Sequence, residues 1–223
     1  MTRTHRLAMS LSISLVTVGS VALAHENDPK RNPEPPVYGD ILYGDRDGIA
    51  GGWGGSQENT IFCAQVPINQ LGGSGNGSDC WGYTSPSGRE YAIVGMESAI
   101  AWVEVTDPFA PSVVYTYQRG GTGSLWCDVK VIGDHAYAVG ESGGSIKIFS
   151  MAGIDKGVVN YVGESSANGN SSTHNIAAVP GAKLLIKCGG SGEGLRFYST
   201  ASNPDSPAFI GAWNDRYVHD ADI

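Results

Sequence analysis

Large apolar residues alternate with small or polar ones in short runs along most of the chain. Residues 100–105 follow this pattern, and Lys147 lies between Ile146 and Ile148 in the same way. A period of two residues predicts half-buried β-strands rather than helices. Turns rich in glycine and proline separate the runs, so the chain is predicted to be all-β.

The strand pattern also repeats at a nearly constant interval. The Tyr-Ala-Ile-Val-Gly run at 91–95 recurs 46 residues later as Tyr-Ala-Val-Gly at 137–140, and more loosely at 184–189. Four short strands in about 45 residues is the size of one propeller blade. A β-sandwich is the competing architecture, but it needs no motif at constant spacing. We therefore predict a β-propeller of ~46-residue four-stranded blades.

The repeats span residues 58–223 and correspond to about three blades plus the start of a fourth. Propellers close with about four to eight blades, and an incomplete ring leaves open edge strands. We therefore expect this partial propeller to be truncated, or to obtain its missing blades from elsewhere.

Composition narrows the class of protein. Glycine accounts for 32 of 223 residues, without the three-residue period of collagen, and the hydrophobic content of 41% excludes general disorder. The formal net charge of −8, with scattered lysines and arginines, excludes an electrostatic footprint for nucleic acid.

The first 57 residues are predicted to lie outside the propeller. Residues 1–24 combine Arg3 and Arg6, an apolar run and an Ala-Leu-Ala site, which is the layout of a secretory signal peptide. A membrane anchor is the alternative, but the apolar run is shorter than a bilayer requires. Residues 25–57 form a proline- and glycine-rich linker and loop. We expect a secreted or cell-surface protein with no transmembrane span after cleavage.

Several motifs resemble one family of exported bacterial proteins. They are Trp-Gly-Tyr at 81–83, the run at 87–95, Val-Thr-Asp-Pro at 105–108, Leu-Trp-Cys-Asp-Val-Lys at 125–130, Thr-His-Asn-Ile at 173–176 and Tyr-Val-His-Asp-Ala at 217–221. Together they resemble the choice-of-anchor B proteins, which carry LVIVD-type propeller repeats. The resemblance implies a propeller and a surface location, and it implies no agreed biochemical activity.

Polar residues recur at the start of the predicted blades, where the innermost strand would line a central channel. Asp128, Asn175 and Asp220 are spaced 47 and 45 residues apart, so we expect them to line that channel. His174 and His219 each precede one of these residues. Two imidazoles beside Asp220 would make a site for a divalent metal ion, although hydrogen bonding to a neighbouring blade is the competing explanation. The cofactor is otherwise unknown.

The four cysteines permit disulfides in an exported protein. Cys63 and Cys80 flank a glycine-rich stretch, so a bridge between them would close a loop. Cys127 and Cys188 fall in predicted strands and are expected to be buried thiols.

These observations give two functional hypotheses. The first is a binding scaffold with no defined activity, whose loops engage a protein or a surface glycan. The second is a metal-binding enzyme or redox protein with its site near His174 and His219. No nucleophile elbow or phosphate-binding loop supports other catalytic classes, so the scaffold is favoured over an enzyme. A spacer beneath another domain is a third possibility.

Overall fold

The computed structural model describes residues 63–120, 125–142, 145–166, 172–190 and 194–222. The predicted signal peptide and the whole of the predicted linker, residues 25–57, lie outside these ranges. The described residues form twelve strands: β1 (Gly77–Thr84), β2 (Glu90–Met96), β3 (Ala99–Glu104), β4 (Ser112–Gln118), β5 (Cys127–Ile132), β6 (His135–Gly140), β7 (Ile146–Gly153), β8 (Val158–Ser165), β9 (Asn175–Val179), β10 (Leu184–Cys188), β11 (Leu195–Ser199) and β12 (Ala208–Trp213).

The strands make three antiparallel sheets of four strands each, in simple sequential order. We call them blade 1 (β1–β4), blade 2 (β5–β8) and blade 3 (β9–β12). Tyr91 and Tyr137 both lie in the second strand of their blade. The predicted all-β fold and the four-stranded unit are thus confirmed, and the three sheets are blade-like. The helices of the described residues are single 3-10 turns at Ile154–Lys156 and Pro180–Ala182, and neither could cross a membrane.

Apolar side chains pack between neighbouring blades and form the core. Trp102 of blade 1 is fully buried, contacts Phe149 of blade 2 with ring centroids 4.9 Å apart, and donates from Nε1 to the Met151 sulfur at 3.2 Å. Between blades 2 and 3, Tyr137 packs in one cluster with Leu185 and other buried residues. One sheet cannot bury both faces alone, so this stacking is what stabilises each blade.

Polar contacts at the turns also hold adjacent blades together. The Tyr91 hydroxyl of blade 1 donates to Asp155 Oδ1 of blade 2 at 2.8 Å. His135 of blade 2 lies between two carboxylates, with Nδ1 2.7 Å from Asp134 Oδ1 and Nε2 2.8 Å from Asp205 Oδ1 of blade 3. These contacts link blade 1 to blade 2 and blade 2 to blade 3.

The first strands of the three blades lie side by side. β5 contacts both β1 and β9. Side chains of β1 extend the pairing, because the backbone N–H of Cys127 donates to Ser78 Oγ and that of Val129 donates to Asp79 Oδ2, both at 2.9 Å. The edges of β1, β5 and β9 therefore converge on one cleft.

Candidate functional site

A cleft of about 430 Å³ lies where the three first strands converge, and we call it the axial cleft. Asp79 and Trp81 come from β1, Lys130 from β5 and Asn175 from β9, and the chain after β12 closes the cleft with Asp220. This volume suits a small molecule rather than a polymer.

Lys130 is the central charge of the axial cleft. Its Nζ lies 2.7 Å from Asp79 Oδ2 and 4.6 Å from the centroid of the Trp81 ring. Asp79 is thus shared, because the same oxygen accepts from the Val129 backbone. The pairing of Lys130 with a carboxylate and an indole face is a combination of ion pair and cation–π contact. Neither Asp79 nor Lys130 was among the residues predicted from the sequence.

The structure places two of the three predicted channel residues in the axial cleft. Asn175 and Asp220 line it, and Asn175 Oδ1 is buried without a hydrogen-bond partner. Asp128 lies half-buried in β5, paired with Val139, and is not in the lining. Its carboxylate nevertheless influences the Cys188 thiol. Burial, followed by the carboxylates of Asp220 and Asp128, raises the pKa of the Cys188 thiol to about 12.

The two predicted histidines meet beside the axial cleft. The ring centroids of His174 and His219 are 4.1 Å apart, and each residue directly precedes one that lines the cleft. His174 is buried, with the Trp126 ring edge-on at 5.5 Å, whereas His219 is exposed. The 46-residue repeat explains the meeting, since it brings equivalent positions of successive units together.

Glu141 completes this group and was missed by the sequence analysis. Its Oε1 lies 2.6 Å from His174 Nδ1. Glu141 directly follows β6 and lies outside the repeated motifs. The sequence did hold one indication of this role, because Glu141 is an acidic residue at the end of β6. That strand contacts β9, which His174 directly precedes. A carboxylate on Nδ1 fixes the imidazole's orientation and tautomer.

The surroundings of this histidine group are tightly packed. Ser172 Oγ donates to the Glu141 carbonyl at 3.0 Å, and Thr173 is fully buried with no hydrogen-bond partner for Oγ1. A side chain at Gly190 would collide with the Ser172 carbonyl, at 2.3 Å from the added Cβ. Burial, then the charge of Glu141, raises the pKa of Tyr217. The backbone beside His174 is therefore closely packed, whereas His219 is exposed.

The predicted metal site involved His174, His219 and Asp220. In the part of the chain that the structure describes, no three His, Cys, Asp or Glu side chains are grouped so that they could hold a metal ion. His174 Nδ1 is engaged by Glu141, and Asp220 Oδ1 accepts from the Ala221 backbone at 2.7 Å. The metal site at these residues stays a prediction.

The pairing of Cys63 with Cys80 is not formed in the structure. Cys80 is exposed on β1 and carries a free thiol. The glycine-rich stretch is instead closed by hydrogen bonds, including one from the Ser74 backbone N–H to Ser98 Oγ at 2.7 Å. Cys127 and Cys188 are buried thiols.

Comparison with known proteins finds a likeness of fold only. No protein-family model matches the chain, and no curated protein matches it either. A solved structure from Bacteroides fragilis, described as a putative 6-phosphogluconolactonase, is similar over 62% of this chain and 40% of its own length, at 14% identity and a TM-score of 0.49. So weak a likeness transfers no substrate, residue role or mechanism.

The comparison nevertheless corrects one expectation. We predicted a binding scaffold without biochemical activity, and the protein of similar fold bears an enzyme's name. The scaffold prediction is contradicted and is withdrawn.

Proposed function

We propose that this chain is an enzyme that performs acid–base hydrolysis beside the axial cleft, with Glu141, His174 and His219 as a proton relay. One observation carries the proposal. Glu141 Oε1 lies 2.6 Å from Nδ1 of the buried His174, and the His174 ring contacts the exposed imidazole of His219, with ring centroids 4.1 Å apart.

Glu141 sets the chemical state of His174. With its Nδ1–H donating to the carboxylate, His174 carries its lone pair on Nε2, on the far side of the ring. The burial of His174 strengthens this electrostatic coupling, because the local dielectric is lower than in water. The negative charge of Glu141 thus stabilises a proton gained anywhere on the histidine pair.

His219 is the exposed member of the pair and therefore the general base. It takes a proton from a water molecule, whose oxygen attacks the carbonyl carbon of a bound ester. The bond between that carbon and the leaving oxygen breaks, and the leaving oxygen takes the proton back from His219. Ester and water become acid and alcohol, and the enzyme is regenerated.

Water is the nucleophile because the neighbouring thiol is unsuited to that role. Cys188 is fully buried and its pKa is raised to about 12, so it is not a thiolate at neutral pH. No other cysteine of the described residues is part of the relay.

The test is hydrolysis of 4-nitrophenyl acetate and δ-valerolactone by the full chain and by three variants. His219→Gln removes the base, and Glu141→Gln removes the charge while keeping the size. Each should lower kcat/KM about 100-fold or more. Glu90→Gln, which changes an exposed carboxylate on β2, is the matched control and should leave the rate unchanged.

Two readouts separate catalysis from folding. Urea unfolding midpoints of the His219 variant should match those of the wild type, because His219 is exposed. The limb of the pH–rate profile that reports the base should disappear in that variant. Hydrolysis at the uncatalysed rate by the wild type, or a His219→Gln variant as active as the wild type, would overturn the proposal.

Family and location are further proposals. The motifs from residue 81 to residue 221 support membership in the choice-of-anchor B family, and the layout of residues 1–24 supports export. The spacing of the repeats supports a propeller architecture. Expression in a bacterial host and N-terminal sequencing should give a mature protein that begins at His25. An intact Met1 would contradict export.

A further inference from the structure

The axial cleft carries an excess of negative charge. Lys130 and Asp79 neutralise each other at 2.7 Å. Asp220 and Asp222 also line the cleft, and no second basic side chain of the described residues lines it. The lining therefore has a net formal charge of −2, which favours cations and repels anions.

Hydrogen-bond acceptors also exceed donors in the lining. Lys130 already donates to Asp79 and to the Val129 carbonyl. Asn175 Oδ1 is buried and accepts no hydrogen bond. A buried acceptor without a partner is costly, so the cleft is suited to a ligand that brings donors.

The aromatic wall of the cleft suits a cation as well. The face of the Trp81 indole already attracts the Lys130 ammonium at 4.6 Å, yet the residue remains 38% exposed. An exposed indole beside carboxylates is a recurrent way to hold an ammonium group. Three independent features of the lining thus agree: net charge, acceptor excess and an aromatic face.

We infer that the axial cleft binds a small primary ammonium compound that carries hydroxyl groups. The ammonium lies between Trp81 and Asp220, and a hydroxyl or ammonium donor reaches Asn175 Oδ1. A cleft of about 430 Å³ holds one molecule of monosaccharide size. The inference rests on the proposed function for its purpose, since such a compound would be the alcohol part of the ester that the relay hydrolyses, but its test needs no turnover.

The experiment measures binding of three matched probes by calorimetry at pH 6.5, with EDTA present. D-Glucosamine carries the ammonium, N-acetyl-D-glucosamine is its neutral counterpart, and D-glucose 6-phosphate is anionic. We expect glucosamine to bind at least tenfold more tightly than the neutral sugar, and the phosphate ester not to bind. Added salt should weaken glucosamine binding, as for any charge-assisted contact.

Variants identify the cleft as the place of binding. Asp220→Asn and Trp81→Ala should each raise the Kd for glucosamine about five- to tenfold. Asp215→Asn, which removes an exposed carboxylate outside the lining, is the control and should not change it. Glu141→Gln should bind glucosamine normally, so a failed relay and a failed cleft give different results.

Three outcomes would overturn the inference: no binding of glucosamine, equal binding of the neutral or anionic sugar, or an Asp220→Asn variant that binds glucosamine as the wild type does.

Discussion

Replacing Gly95 with alanine tests how closely blades 1 and 2 approach each other. Gly95 is buried in β2, and a Cβ added there would lie 2.1 Å from the Cys127 carbonyl oxygen of β5. That is more than 1 Å short of ordinary van der Waals contact. The obstacle is backbone, so no side chain can rotate away and the blades themselves must separate.

The size of the effect follows from this geometry. Overpacking a core costs typically 1–3 kcal/mol, and a clash between two backbones belongs at the upper end, at about 3 kcal/mol. With a urea m-value of about 2 kcal/mol per molar, the unfolding midpoint should fall by roughly 1.5 M. Circular dichroism at increasing urea concentration measures it.

Gly82→Ala is the matched control for Gly95→Ala. Gly82 lies in β1 of the same blade, is exposed, and would place its Cβ more than 4 Å from any neighbouring atom. Its variant should stay within about 0.5 kcal/mol of the wild type. If both variants unfold at the same urea concentration as the wild type, the close packing of β2 on β5 is wrong.

Three further results are expected. Burial lowers the pKa of Lys187 to about 8, so between about pH 8 and pH 10.5 the unfolded chain binds more protons than the folded chain and stability rises with pH. In urea unfolding, the wild type should therefore gain roughly 2 kcal/mol relative to Lys187→Met between pH 7.5 and pH 9.5. The absence of a relative gain would refute the burial of Lys187. Trp102→Ala should cost about 3–5 kcal/mol because the side chain is fully buried, whereas Trp213→Ala, at a residue 40% exposed, should cost less than about 1 kcal/mol; equal losses would contradict the placement. In a thiol assay at pH 8 on a Cys63→Ser variant, Cys80 should react at once and Cys188 only after unfolding. A Cys63→Ser/Cys80→Ser variant that keeps a fast-reacting thiol would reverse this assignment.

Periodicity made the architecture predictable from the sequence. The Tyr-Ala runs around Tyr91 and Tyr137 fall in the second strand of successive sheets, and four strands fit each repeat. Because stacked repeats bring equivalent positions together, the meeting of His174 and His219 could be foreseen from spacing alone.

Residues that act across blades could not be found in this way. Asp79 lies on β1 and meets Lys130 on β5, but no repeated motif marks either residue. Glu141 follows β6 and reaches His174 just before β9, a contact that depends on the relative placement of blades 2 and 3. A repeat fixes which residues are equivalent. It does not fix which non-equivalent side chains face each other.

A double-mutant cycle on ester hydrolysis tests the relay most directly. If two residues act as one unit, replacing either one removes the contribution of both. The double variant Glu141→Gln/His219→Gln should therefore lower kcat/KM no more than His219→Gln does alone. If the two losses multiply, with each variant lowering the rate by the same factor whether or not the other is present, Glu141 and His219 act independently and the relay does not exist.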